Sequence, residues 1–457
     1  MNTADLGLPV DVPSTALFTD QYELTMLRAA LKAGTAERHS VFEVFTRRLP
    51  DGRRYGVVAG TGRVLDAVEN FRFDADVLRF LRERGIVDEE TLDWLAEYRF
   101  SGDIWGYPEG EVYFPGSPIM RVEGTFGECV LLETVILSIL NHDSAIAAAA
   151  SRMASAAGGR PLIEMGARRT HELAAVAAAR SAYVGGFATT SDLAAGFRYN
   201  IPTVGTSAHA FTLLHDNERD AFRAQVDALG RDTTLLVDTY DVTEAVRTAV
   251  EVAGPELGAV RIDSGDLLLV AHRVRQQLDE LGATETKIVV TSDLDEYAIA
   301  SLAAAPVDAY GVGTQLVTGS GHPTASMVYK LVARAESAGA AGTAGTGGEG
   351  APLVAVAKKS SGGKTSIGGR KWAARRLDSH GYAEAEVVGT GPVPDELADR
   401  QLLVELVKGG EVVAREPLDA ARDRHAAARA NLPLSATQLS RGEPVIPTEY
   451  VHEGSGS

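Results

Sequence analysis

The sequence predicts an α/β fold, an irregular (β/α) barrel with a smaller α/β domain built from N- and C-terminal segments. Three observations lead there. At 457 residues the chain is too long for one compact core, so two domains or one barrel with additions are expected. Between residues 162 and 312, short apolar runs alternate with helical segments, and such βα repetition dictates a parallel sheet or barrel. Outside that stretch, residues 101–125 and 380–415 read as short strands with tight turns. The expected partition is 16–128 for the first part of the small domain and 129–332 for the barrel. A flexible Ala/Gly-rich insert at 333–352 and a segment completing the small domain at 353–450 follow.

Composition narrows the class. A hydrophobic content of 45% and a charged content of 23% are ordinary for a soluble globular protein. The formal charge of −18 argues against a nucleic-acid partner, so an anionic substrate would need a local positive field built from a few Arg, Lys and backbone N–H groups. Cys129 is the only cysteine, which rules out an intramolecular disulfide and fits a reducing cytoplasm. The first fifteen residues lack a basic n-region and an apolar h-region, so no signal peptide is expected. No apolar run reaches membrane-spanning length by this reading, and a cytoplasmic protein without membrane association is expected.

Along the chain, residues 17–26 open a helix expected to run to about Lys32 and stop at Gly34. Thr19 or Asp20 would cap it, Glu23 would complete a capping box, and Tyr22 falls in the first turn. Residues 41–48 (VFEVFTRR) alternate as a strand does. Residues 56–62 open a helix through Val68, and 71–100 carry a charged helical pattern with Trp94 and Tyr98 on its apolar side. Residues 131–156 are apolar and Ala-rich and read as one buried helix or two. The barrel strands are expected at 162–165, 184–187, 203–204, 234–237, 259–262, 287–290 and 309–312, with helices at 170–182, 220–229, 242–252, 267–281 and 294–304. Residues 335–352 form a loop or linker, 354–358 a strand and 418–431 a helix, and the tail ending EGSGS is expected to be disordered. The basic, Gly-rich stretch 358–365 suits a phosphate-contacting loop or a solvated hairpin tip.

Most of the expected strands end in polar residues, and α/β sites collect at the carboxyl ends of strands. Arg168 and Arg169 follow the first. Gly205, Thr206, Ser207 and His209 follow another: the Gly allows close backbone approach, the hydroxyls donate, and His209 suits a nucleophile or proton-transfer group, although a His near a strand end is often structural. Asp238 follows the next, and Arg261 and Asp263 point the same way from a fourth because strand side chains alternate. Ser292 with Asp293, and Gly313 with Thr314, resemble phosphate cradles. Each motif alone is also plain helix-capping chemistry, and an Arg261–Asp263 pair could simply brace the rim. Convergence at one barrel face makes them a candidate site. Arginines hold carboxylate or phosphate bidentately, Asp263 and Asp266 suit Mg²⁺ or sugar hydroxyls, and Asp238 is expected to accept a proton of His209, leaving its other nitrogen nucleophilic. Two phosphate cradles and a cation fit a phosphorylated sugar.

At these residues the chain resembles nicotinate phosphoribosyltransferases. The matching segments are 19–26, 42–45, 164–169, 205–209, 238–240, 261–267 and 311–314, in the family's order. The resemblance implies a type II phosphoribosyltransferase barrel that makes nicotinate mononucleotide and pyrophosphate from nicotinate and phosphoribosyl pyrophosphate, coupled to ATP hydrolysis, in NAD salvage. It implies that ATP transiently phosphorylates His209, that Asp238 orients this His, and that Asp263 holds Mg²⁺ and ribose hydroxyls near the reacting centre. By the same match, Arg261 and Thr206 lie at the nicotinate site and Arg168 and Arg169 take carboxylate or phosphates. Gly313 and Thr314 form the 5′-phosphate loop with Ser292 and Asp293 nearby. Tyr22 would stack on the pyridine ring from a partner subunit, which implies a homodimer with shared active sites. Two departures stand out. The late loop at 365–371 lacks the family's Pro, so no site is assigned there, and Asp192 lies where nicotinamide-using relatives carry an amide-contacting Asp. The alternatives are the same chemistry on nicotinamide or quinolinate, a catalytically silent nucleotide-binding homologue, and a barrel lyase or aldolase. The silent form would be expected to lack His209, Asp238 or Arg261, all present, and the aldolase would need a Schiff-base Lys at a strand end, where lysines are scarce.

Overall fold

The computed structural model describes residues 14–336, 352–359 and 366–451. Most of the 333–352 insert, most of the 358–365 loop and the EGSGS tail lie outside the described residues. The chain begins with α1 (Gln21–Lys32), β1 (His39–Thr46), β2 (Gly56–Val57), α2 (Thr61–Glu69), α3 (Ala75–Glu83), α4 (Glu89–Ala96), β3 (Asp103–Gly106), β4 (Val112–Tyr113), β5 (Met120–Thr125), α5 (Phe126–Val130) and α6 (Glu133–Ala157). The βα region holds β6 (Leu162–Glu164), α7 (Glu172–Val184), β7 (Thr189–Thr190), α8 (Leu193–Tyr199), α9 (His209–Leu213), α10 (Glu218–Leu229), β8 (Thr234–Leu236), α11 (Val242–Ala253), β9 (Ala259–Ile262), α12 (Leu267–Glu280), β10 (Lys287–Ser292), α13 (Glu296–Ser301), β11 (Ala309–Val312) and α14 (Thr314–Val317). It closes with β12 (Met327–Ala335), β13 (Leu353–Ala355), β14 (Lys371–Leu377), β15 (Ala383–Thr390), β16 (Val404–Lys408), β17 (Glu411–Val412), α15 (Leu418–Ala430) and β18 (Thr448–Val451).

The βα region curls into a parallel six-stranded sheet, β7-β6-β11-β10-β9-β8. It is a half-barrel with an open seam. Thr203, expected in a strand, makes only an isolated bridge to Thr190, and no ladder joins this segment to β8. The expected strand at 184–187 is instead the end of α7 and its turn. Val184 is fully buried on the helix's packing face, Gly185 and Gly186 end the helix, and the strand starts at Thr189. An antiparallel sheet, β13-β12-β1-β5-β3-β16-β17, draws strands from both chain ends, and β14-β15-β18 lies beside it. β12, which begins before residue 332, belongs to this antiparallel half.

β1 alternates in sequence but is buried along almost its whole length. Phe42 and Val44 enter the helix-covered core, while Glu43 on the opposite face meets Lys371 of β14 at 2.9 Å, both about 3% exposed. The polar half of the alternation is therefore satisfied by an ion pair rather than by water. α1 begins as expected, but without the capping box. Asp20 makes no side-chain cap, and buried Glu23 accepts from the Thr19 hydroxyl and from the backbone and hydroxyl of Thr134.

One helix, α6, unites the halves. Its first turns (Val135, Ile136, Ile139, Leu140) pack in the core under the antiparallel sheet, and its last (Ile146, Ala150, Met153, Ala157) in the barrel core. A helix buried all round needs an apolar circumference, which explains the composition of 131–156. The stretch Phe126–Ala157 is in fact long and apolar enough to cross a membrane by length and composition, contrary to the expectation from sequence, yet 67% of the window is buried inside the protein. Its alanines let α7 approach closely: a Cβ on Gly185 would lie 2.5 Å from Ala150 Cβ and 2.7 Å from the Ala147 carbonyl.

Candidate active site

The barrel strands end at one mouth, and the open seam lies within it. His209 opens α9 just past the Thr203 bridge. Its Nδ1 is 3.1 Å from the Thr239 hydroxyl and its Nε2 is 4.0 Å from Asp263 Oδ2. Asp238 does not hold His209, contrary to the expectation. One of its oxygens accepts the Asp263 backbone N–H at 2.9 Å and the Ser264 hydroxyl at 2.6 Å. β8 and β9 are parallel neighbours, so the turn after β9 folds its donors onto the first carboxylate beyond β8, and the adjacent Thr239 meets the His instead. Asp238 Oδ1 is buried with no partner. Asp263 accepts the Thr291 hydroxyl through Oδ1.

Arg261 donates through Nη1 to the Thr206 hydroxyl (2.8 Å) and through Nη2 to the Ser207 carbonyl (2.9 Å), while its Nε is buried without a partner. The alternative reading, a rim brace between Arg261 and Asp263, is not among the ion pairs of the described residues. Burial pulls the Arg261 guanidinium below its ordinary value; Asp263 and Asp238 oppose this and the nearby Arg168 charge adds to it. Arg168 and Arg169 are exposed on a turn shaped by buried Glu164, which accepts the Gly166 N–H and the Thr190 hydroxyl. Burial raises the Glu164 carboxyl. A Cβ on Gly313 would lie 4.0 Å from Arg169 Cγ, so this turn adjoins the Gly313–Thr314 loop. Ser292 pairs with Val312 in the β10–β11 ladder, which sets Ser292 and Asp293 beside Gly313 and Thr314.

Tyr22 is not brought to this mouth by its own chain. It is 46% exposed on α1, its neighbours are Glu23, Glu133 and Thr134, and burial followed by these carboxylates pushes its phenol up to about 12. Asp192, the residue that kept the nicotinamide alternative open, caps α8: its Oδ1 accepts the N–H groups of Ala194 and Ala195 at 2.9 and 3.0 Å. Thr239, Ser264, Thr291 and Glu164 join the site without having been singled out. For the three hydroxyl residues the sequence signal is a Thr or Ser at or just past a strand end, which also serves ordinary helix capping; for Glu164 it is a carboxylate closing an apolar run.

A parallel half-barrel with a histidine, two carboxylates, arginines and paired Ser/Asp and Gly/Thr loops at its strand ends defines a type II phosphoribosyltransferase barrel. The family model described as nicotinate phosphoribosyltransferase (NAPRTase) N-terminal domain matches residues 17–141. A nicotinate phosphoribosyltransferase of Mycobacterium tuberculosis is 55% identical over 455 residues, covering 97% of each chain. One from Bacillus subtilis is 38% identical over 330 residues, covering 70% of this chain and 67% of that one. The crystal structure of human nicotinic acid phosphoribosyltransferase superposes with a TM-score of 0.77 at 25% identity, covering 95% of this chain and 98% of that one. The chain belongs to the nicotinate phosphoribosyltransferase family and is an enzyme of that type.

Proposed function

We propose that the enzyme transfers the phosphoribosyl group of phosphoribosyl pyrophosphate to nicotinate, releasing pyrophosphate, in NAD salvage, and couples this to ATP hydrolysis through phosphorylated His209. The observation that carries the reading is the arrangement at the seam: His209 flanked by Thr239 and Asp263, with Arg261 fastened to Thr206 and Ser207 beside it. With the proton held on Nδ1 and donated to the Thr239 hydroxyl oxygen, Nε2 carries the lone pair. Attack by Nε2 on the terminal phosphorus of ATP expels ADP, and later hydrolysis of the phosphohistidine returns the imidazole. The added phosphoryl oxygens strengthen the field that holds pyrophosphate and favour product. Arg261, with its unpartnered Nε, and Arg168 face the anionic groups of the substrates.

Mg²⁺ is typically held by one or two carboxylates together with substrate phosphates. Asp263 and the buried, unpartnered Oδ1 of Asp238 fit that donor set. No group of three or more His, Cys, Asp or Glu suited to a metal occurs among the described residues, so phosphate oxygens would supply the remaining ligands. The bound ion would neutralise pyrophosphate charge, and Asp263 beside the ribose would soften the positive charge that develops at the reacting carbon.

The enzyme acts as a homodimer with shared sites. Supporting this, Leu193, Phe197, Leu213, Leu214 and Tyr240 form an exposed apolar rim on the loops and helices that follow the barrel strands. Leu17, Phe18 and Tyr22 form a second exposed patch elsewhere on the same chain, suited to seating on that rim in a second copy. The test is a coupled assay with phosphoribosyl pyrophosphate and Mg²⁺, offering nicotinate or nicotinamide with and without ATP. Nicotinate turnover stimulated by ATP is expected, and His209→Ala should lose the stimulation while keeping the fold. Equal mixing of Tyr22→Ala and His209→Ala chains should restore about a quarter of wild-type turnover if sites are shared. Turnover of nicotinamide alone would overturn the substrate assignment.

A further inference from the structure

Outside the seam, a buried polar cluster at the start of α13 is left unused by this chemistry. Glu296, 2% exposed at the start of α13, accepts from Arg53 Nη1 at 3.0 Å and Arg152 Nε at 3.0 Å on one oxygen, and from the Ser320 hydroxyl on the other. Arg53 comes from the loop after β1 and is 5% exposed; its Nη2 also donates to the Gly319 carbonyl at 2.8 Å. Arg152 comes from α6 and donates further to the Gly52 carbonyl at 2.6 Å. One carboxylate therefore ties together α13, α6, the first loop of the antiparallel half and the turn after α14.

That turn is itself unusual. Gly319, Ser320 and Gly321 have φ of 64°, 54° and 84°, three successive left-handed residues, one of them with a side chain. Such a conformation persists where the surroundings over-determine it. Here they are the Glu296–Ser320 and Arg53–Gly319 bonds, with the Ser320 N–H returning to the Gln315 carbonyl at 2.6 Å and the Gly319 N–H to Leu316 at 2.9 Å. The two ends of the device follow, along the chain, the two loops assigned to the phosphoribosyl phosphate. Glu296 is three residues beyond Asp293, and the turn closes the α14 segment that starts at Thr314. A buried carboxylate between two guanidiniums is a poor way to gain stability alone, since apolar residues of similar volume often serve as well.

We propose that Glu296 is a positioning residue, which locks the Gly319-Ser320-Gly321 turn and so holds the 292–293 and 313–314 loops in register for the phosphorylated substrate. The inference rests on the proposed use of phosphoribosyl pyrophosphate. Glu296→Gln keeps the volume and removes the charge. Ser320→Gly removes the hydroxymethyl group, and with it the bond to Glu296, and accepts a left-handed φ without strain, so this variant folds even if the first does not.

The Kd of the full chain for phosphoribosyl pyrophosphate with Mg²⁺ is measured by calorimetry, alongside KM for each substrate and the Tm. Glu296→Gln should weaken phosphoribosyl pyrophosphate binding roughly tenfold to a hundredfold, the scale of a small misplacement of positioning groups, with the nicotinate KM unchanged. Ser320→Gly should weaken the same Kd several-fold at wild-type Tm. Wild-type Kd in a folded Ser320→Gly chain, or parallel loss for both substrates tracking a fall in Tm, overturns the positioning role. A wild-type chain that binds phosphoribosyl pyrophosphate but does not turn over nicotinate sinks the substrate reading and leaves this measurement intact, whereas absence of binding in the wild type overturns both.

Discussion

In the antiparallel half and where it meets α7, Glu109 meets Arg180 of that helix at 2.7 Å, Glu43 meets Lys371 at 2.9 Å and Glu386 meets Arg375 at 2.6 Å, every partner buried. At the barrel mouth, Arg168 and Arg169 are exposed, Arg261 keeps an unpartnered Nε and Asp238 an unpartnered Oδ1. Both regions place charge near low-dielectric surroundings. In the first, each of these carboxylates has a cationic partner within the chain, although Arg375 Nε lacks an acceptor; at the mouth, none of Arg168, Arg169, Arg261 and Asp238 is among the ion pairs of the described residues, and the proposed anionic substrate and cation would complete the match. Buried charges are costly unless paired, so an unmatched set persists at the mouth because function requires it. Substitutions in the first region should therefore change stability, and those in the second should change turnover.

The largest effect is expected at the buried two-pronged Glu109–Arg180 pair. Arg180→Met strands the Glu109 carboxylate, which keeps only the Gly60 and Gly62 N–H groups, and should cost about 3–5 kcal/mol in denaturant unfolding. Wild-type stability would show that the two regions do not differ as argued. Arg261→Ala is the counterpart at the mouth, expected to lower kcat/KM by about a hundredfold to a thousandfold with little change in Tm. A large fall in Tm would reclassify Arg261 as structural.

A pH effect sharpens the same contrast. His425 is buried, with Nε2 2.8 Å from the Ser151 hydroxyl and Nδ1 3.1 Å from the Gly110 carbonyl; burial first, then the Arg429 charge, lowers it to about 4. Its folded value lies below the unfolded one, so the neutral ring contributes stability in full above about pH 6.5. That contribution, roughly 3 kcal/mol, is lost as pH falls from there towards 4. Unfolding curves of wild type and His425→Gln should converge across that window, and a constant gap would exclude the titration. The smallest effect is expected for Thr206→Val, which removes one hydroxyl from Arg261 while Ser207 still holds it. A few-fold loss in kcat/KM is expected, corresponding to about 1 kcal/mol, and no loss would mean that Ser207 suffices.

Much of the architecture was legible in the chain because it follows from local rules. The parallel strands at β6, β8, β9, β10 and β11 and the helices between them come from apolar runs and helical periodicity, and they lie within a few residues of expectation. Where the reading failed, tertiary context overrode the local pattern. Residues 184–187 are apolar enough for a strand, but Val184 continues the face that α7 buries. Glu23 has the spacing of a capping box, yet the N-terminus of α6 supplies better donors. The choice between Asp238 and Thr239 as the partner of His209 depends on how β8 and β9 stagger, and adjacent polar residues do not reveal it.

By itself the sequence determined the fold class, five of the six parallel strands and the set of polar residues delivered to their ends, because a strand of given length and polarity must present its next residues at the sheet's edge. Only the tertiary structure decided that the barrel stays open beside His209, that Thr239 and Asp263 flank that His, and that Glu296 gathers Arg53, Arg152 and Ser320. Those pairings join segments tens to hundreds of residues apart, and their geometry is set by packing, on which spacing along the chain is silent.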